Sequence, residues 1–140
     1  MYNNMGDIPE RWQGFSNEEI AIAKYLEALG QQVAKNLQEG ALGAGRQGDA
    51  FVNGVLTEFK TLDSGATENT IKNRVNKSIK GMGQAREIII DARHSCLDEN
   101  TARNGTFKAL GIGRGKIDGI TVIGDGFFFR YQPKLIDIYG

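Results

Sequence analysis

One cysteine, one histidine, one tryptophan and two prolines are all that 140 residues contain of those types. Cys96 has no partner for an intrachain disulfide, so a disulfide-stapled secreted fold has no support. No apolar run approaches the roughly 20 residues of a membrane span. The opening MYNNMGDIPERW lacks the apolar core of a signal peptide, so export would have to be provided by something outside this chain. Neither internal repeats nor low-complexity segments occur, and no helix-turn-helix is visible. GIGRGK, residues 111–116, joins glycine to basic residues but lacks the spacing of a phosphate-binding P-loop. Formal net charge is zero, yet residues 1–63 hold nine acids against five Lys or Arg, and residues 64–140 hold eight against twelve. A neutral total can therefore conceal a basic face.

What the chain has in excess is glycine: nineteen, about twice what an average near 7% would give. Frequent turns between short elements follow, and the length fits one domain over residues 1–140, with residues 1–15 an irregular lead-in marked by Trp12. The strongest local signal is GDAFVNGVLTEFKTL, residues 48–62. Asn53-Gly54 between two β-prone runs predicts a type I′ hairpin. That turn sets Val52 opposite Val55, Phe51 opposite Leu56, Ala50 opposite Thr57 and Asp49 opposite Glu58. Facing carboxylates repel unless a cation lies between them, and strand alternation puts Lys60 on the face of Glu58. Removing either acid is then expected to leave stability unchanged or raised. With Phe51 and Leu56 on the same face, partial burial is expected as well.

Around this hairpin the other elements fall into order. Ser16 opens a helix that Gly30 closes, with Ile22, Ala23, Leu26 and Leu29 as its apolar stripe. Glu19 lies on that stripe. Ser16-Asn17-Glu18-Glu19 fits a capping box, which explains Glu19 without any function. Val33 marks a short strand within Gln31–Asn36, and residues 38–47 read as a loop. A helix from Glu68 or Asn69 to Lys80 buries Ile71, Val75, Ile79 and Met82. Its polar face carries Lys72, Lys77 and Lys80, and with Arg86, Arg114 and Lys116 these form a candidate nucleic-acid track. Glu87–Asp91 reads as a buried strand parallel to the hairpin, because it is reached through a helix. A third helix capped by Asp98 or Asn100 carries Phe107, Ala109 and Leu110 and stops at Gly111. A second hairpin, Ile117–Ile123 with Phe127–Tyr131, completes an α/β fold with a mixed α+β sheet.

Two carboxylates and a lysine on one face suit a hard divalent cation and a phosphodiester. Asp49 and Glu58 would hold the cation, and Lys60 would orient or deprotonate water and offset developing charge. At these residues the sequence resembles the PD-(D/E)XK nuclease superfamily. Asp49, an eight-residue gap and Glu58-Phe59-Lys60 match its D…(D/E)xK motif, and the element order over Ser16–Asp91 matches its αβββαβ core. Gly48 stands where the motif has proline, and Gln84 where some members carry a glutamine. The resemblance implies Glu19 as a third metal ligand and catalytic group beside Asp49, Glu58 and Lys60, with Mg²⁺ favoured over Mn²⁺ or Zn²⁺.

Residues 56–93 (LTEFKTLDSGATENTIKNRVNKSIKGMGQAREIIIDAR) and the later RGKID also resemble the C-terminal nuclease toxin domains of contact-dependent growth inhibition (CdiA-type) proteins. That resemblance implies a metal-dependent endonuclease acting on tRNA, or alternatively DNA, in the cytoplasm of a target bacterium. It implies further that the domain is the C-terminal part of a secreted or cell-surface protein and is neutralised by a cognate immunity protein. Two rivals stay open: a metal-independent ribonuclease using His94, and a non-catalytic nucleic-acid or protein-binding domain.

Overall fold

Apolar side chains fall into two clusters on opposite faces of one six-stranded sheet. The computed structural model describes residues 8–37, 49–80, 85–112 and 115–133. The expected loop 38–47, together with Gly48, Met82, Gln84 and Arg114, lies outside them. Strands β1 (Val33–Lys35), β2 (Ala50–Val52), β3 (Val55–Thr61), β4 (Glu87–Asp91), β5 (Gly119–Ile123) and β6 (Phe128–Tyr131) lie side by side in chain order. The pairs β1–β2, β2–β3 and β5–β6 are antiparallel, whereas β3–β4 and β4–β5 are parallel. Each parallel step is bridged by a helix, α2 (Glu68–Lys80) and then α3 (Glu99–Ile112), as a crossover requires.

The hairpin register is the one its turn imposes: Val52 pairs with Val55, Phe51 with Leu56 and Ala50 with Thr57. Asn53 and Gly54 sit at φ of 50° and 83°, the two positive values that a type I′ turn demands. Helix α1 (Asn17–Ala28) begins at Ser16, whose hydroxyl accepts from the Glu19 N–H, and Glu19 returns a bond to the Ser16 N–H. It lays Ile22, Ala23 and Leu26 on the β1–β4 side of one face, with Trp12, Phe15, Val52, Phe59 and Ile89. The described part of the lead-in packs Ile8, Trp12 and Phe15 into the same cluster. A 3-10 turn, Glu10–Trp12, buries Trp12 and lets its indole N–H donate to Val33 O at 2.9 Å.

On the other face α2 and α3 cover Leu62, Ile88, Ile90, Ile120 and Val122. Their close approach depends on Gly105, where an added Cβ would lie 2.6 Å from the Glu68 carbonyl oxygen. The structure corrects the third helix in two respects. It continues through Gly111 to Ile112, and Phe107 is half-exposed against the Tyr131 ring rather than in the core. The buried stripe is Ala102, Gly105, Thr106, Ala109 and Leu110, because contact with α2 requires small residues at the crossing.

Candidate active site

Strand alternation divides β3 between the two faces. Phe59 joins the α1 cluster, and Leu62 just beyond the strand joins the α2–α3 cluster. Glu58 and Lys60 share the face of Leu62. Glu58 is 3% exposed, and its Oε2 accepts from the Ser78 hydroxyl of α2 at 2.7 Å and from Lys60 Nζ at 2.9 Å. Lys60 is thus the cation beside Glu58, and a buried hydroxyl fixes the same oxygen. Burial of the pair comes from α2 and not from Phe51, which is 39% exposed nearer the turn.

Asp49 lies one register step past the Ala50–Thr57 pair and reaches across to β3. Its Oδ2 accepts from the Phe59 N–H at 2.7 Å, and its backbone carbonyl accepts from Asn36 at 3.1 Å. Asp49 therefore holds the mouth of the hairpin together. Each carboxylate has donors of its own, so loss of either acid leaves donors unmatched, and the expectation of unchanged or raised stability is replaced by one of a loss.

Glu19 is not brought to this pair. Its carboxylate closes the capping box of α1, on a helix anchored to the opposite face of the sheet. Among the described residues no three His, Cys, Asp or Glu side chains converge to hold a metal. Asp49 and Glu58 offer carboxylate oxygens alone, the donor type of which Mg²⁺ takes one or two before completing its octahedron with water and phosphate oxygens. They do not form a zinc-type set of nitrogen and sulfur ligands.

The basic residues divide by role. Lys77 and Lys80 are exposed on the last turns of α2, flanking Ser78, and Lys72 is half-buried earlier on the helix. Arg86 donates to Asp118 Oδ1 and to Gly115 O at 3.1 Å each, bracing the approach to β5, and Lys116 beside it is exposed. Arg103 bonds Glu99 and the Tyr131 hydroxyl, and Lys108 pairs with Glu68. Ser78 is the site residue that the sequence did not single out. Its signal was a small polar residue three positions after Val75, on the buried stripe of α2. His94 is exposed in the turn after β4 and borders a separate hollow beside α1.

No curated protein matches the chain. Among solved structures, a CdiA-CT/CdiI toxin and immunity complex from Burkholderia pseudomallei matches with a TM-score of 0.58 at 19% identity, over 90% of this chain and 93% of the other. At that identity the likeness shows a shared fold. The family model of the contact-dependent growth inhibition CdiA C-terminal domain matches residues 46–127, a span that holds the hairpin, α2, β4, α3 and β5. With more than half its length matched, this chain belongs to the contact-dependent growth inhibition CdiA C-terminal domain family.

Proposed function

We propose that the chain is a metal-dependent nuclease toxin domain that hydrolyses phosphodiester bonds, with tRNA favoured over DNA, and that a cognate immunity protein neutralises it. One observation carries the reading: a buried glutamate on β3 bonded to a lysine of that strand and to a serine of α2, with an aspartate bonded to β3. Burying such charges is expensive unless they are paired or used. Asp49 and Glu58 would hold a divalent cation. When bound, it would neutralise charge on the scissile phosphate and lower the pKa of a bound water. Ser78 and Lys60 fix the Glu58 carboxylate before substrate arrives, which is what preorganisation requires. Lys60, as an ammonium beside the phosphate, offsets the negative charge that develops on its oxygens. Lys77 and Lys80, within one helical turn of Ser78, would receive the neighbouring backbone phosphates. The solved structure of similar fold, a toxin and immunity complex, supports that partner.

The test is incubation of the protein with total RNA and with plasmid DNA, each with Mg²⁺, without it, and with EDTA. Cleavage of tRNA bands only where Mg²⁺ is present supports the reading. Cleavage confined to plasmid moves the substrate to DNA. Undiminished cleavage in EDTA removes the metal, and no cleavage of either substrate removes the enzyme.

A further inference from the structure

At the carboxyl end of β4, on the α1 face, a hollow of about 580 Å³ opens among Tyr25, Arg93, His94, Asp125, Phe127 and Phe128. Outside the carboxyl ends of parallel strands, α/β sheets place ligands by preference. Its most ordered group is Arg93. The Asp91 carboxylate, 1% exposed, accepts from Arg93 Nε at 2.9 Å and from Nη2 at 2.8 Å, and Nη2 also donates to the Ala21 carbonyl at 3.1 Å. The bond to Asp91 holds the guanidinium firmly in its charged form. Its centre lies 5.1 Å from the Tyr25 ring centroid, and the Phe128 ring, 40% exposed, is 5.7 Å from that of Tyr25. Nη1 has no acceptor among the described residues.

A buried aspartate holding a rigid arginine is a poor way to gain stability alone, since the desolvation penalty offsets most of the attraction. As a recognition element it is effective, because its entropy is lost before the ligand arrives. Resting on the nuclease reading, we propose that this hollow receives an unpaired base of the nucleic acid, stacked against Phe128 and Tyr25, and that guanine is preferred. Stacking on aromatic rings and guanidinium planes is the usual way single-stranded bases are held. Charge disfavours a phosphate in the hollow itself, because Asp91 neutralises Arg93 and Asp125 adds a carboxylate. Guanine presents acceptors at O6 and N7 and a donor at N2. Arg93 Nη1 complements the first pair and Asp125 the second.

His94 is the sole histidine, so its ring protons report on this hollow without ambiguity. The experiment titrates the intact protein, without divalent metal, with GMP, AMP, CMP, UMP and ribose 5-phosphate while following the His94 resonances by NMR. A saturable shift is expected, tightest for GMP and absent for ribose 5-phosphate. Phe128→Ala, with melting temperature checked, should weaken GMP by about tenfold, and should raise KM for the nucleic acid with kcat unchanged. No saturable shift, equal response to ribose 5-phosphate, or unchanged GMP binding in Phe128→Ala would overturn the base site. Equal affinity for the four nucleotides would overturn the guanine preference. Mononucleotide binding does not depend on cleavage, so loss of the nuclease reading and loss of this site give different results.

Discussion

Glu58 illustrates how one side chain can be constrained by its neighbours more than by its own charge. Its Oε2 serves both Ser78 and Lys60, so Glu58→Ala leaves a buried hydroxyl and a partly exposed lysine without their acceptor. Unfolding by urea should show a loss of about 2 kcal/mol. Glu58→Gln keeps an acceptor for Ser78 and removes the charge needed to hold a cation. It should therefore retain most of the stability and lose cleavage, and full activity in this variant would end the site assignment. Glu19 is expected to behave oppositely. Glutamine also completes a capping box, so Glu19→Gln should cleave and melt like the parent, while Glu19→Ala loses about 1 kcal/mol of stability. If Glu19→Gln is inactive at an unchanged melting temperature, the carboxylate serves the metal after all.

At the scale of elements, α2 joins three functions in one helix. Ile71 and Val75 hold it on the sheet, Ser78 fixes Glu58, and Lys77 and Lys80 face solvent. Replacing Lys77 and Lys80 by alanine should weaken nucleic-acid binding and reduce the slope of log Kd against log salt by somewhat less than one unit per contact. A salt series by fluorescence anisotropy checks this, and an unchanged slope would make the basic helix an ordinary solvated face. The pairing of α2 with α3 has its own test. Alanine at position 105 gains about 1 kcal/mol in helix propensity. Its Cβ, however, would meet the Glu68 carbonyl at 2.6 Å and the Ile71 Cβ at 3.2 Å. Backbone cannot swing aside, and overpacking of this kind costs about 1–3 kcal/mol. Gly105→Ala should therefore be less stable in urea, with an unchanged m-value.

Over the whole molecule, acid is expected to loosen the packing of the lead-in against α1. Burial alone would raise the pKa of Glu27, but bonds from Arg11 and the Val33 N–H outweigh it and hold the group below its ordinary 4.5. A carboxyl depressed on folding contributes stability above its unfolded pKa, and that contribution is lost as pH falls through the folded value. Asp98, the cap of α3, is lowered by the Thr101 N–H in the same sense. Melting temperature should thus fall as pH drops below about 4.5, and the fall should be shallower in Glu27→Gln. A pH series of thermal melts measures both. Equal slopes would show that Arg11 and Val33 do not distinguish the two charge states.

Much of this was determined by sequence because it depends on neighbours along the chain. Asn53-Gly54 fixed the register that pairs Val52 with Val55, Phe51 with Leu56 and Ala50 with Thr57. Ser16 to Glu19 specified a cap, and the run Glu87–Asp91 declared a strand buried on both faces. Each rests on contacts within a few residues or on a period of 2 or 3.6. The resemblance of Asp49, Glu58 and Lys60 to a nuclease motif named a candidate site without showing what surrounds it. Tertiary structure alone decided that Glu19 belongs to the opposite face, because the side of the sheet on which a helix packs is set by long-range burial. It alone brought Ser78 to Glu58 and Asp91 to the base of the hollow at Arg93, and left Phe107 half-exposed. Those outcomes depend on which surfaces meet after the crossovers close, and hydrophobic pattern carries no record of the partner.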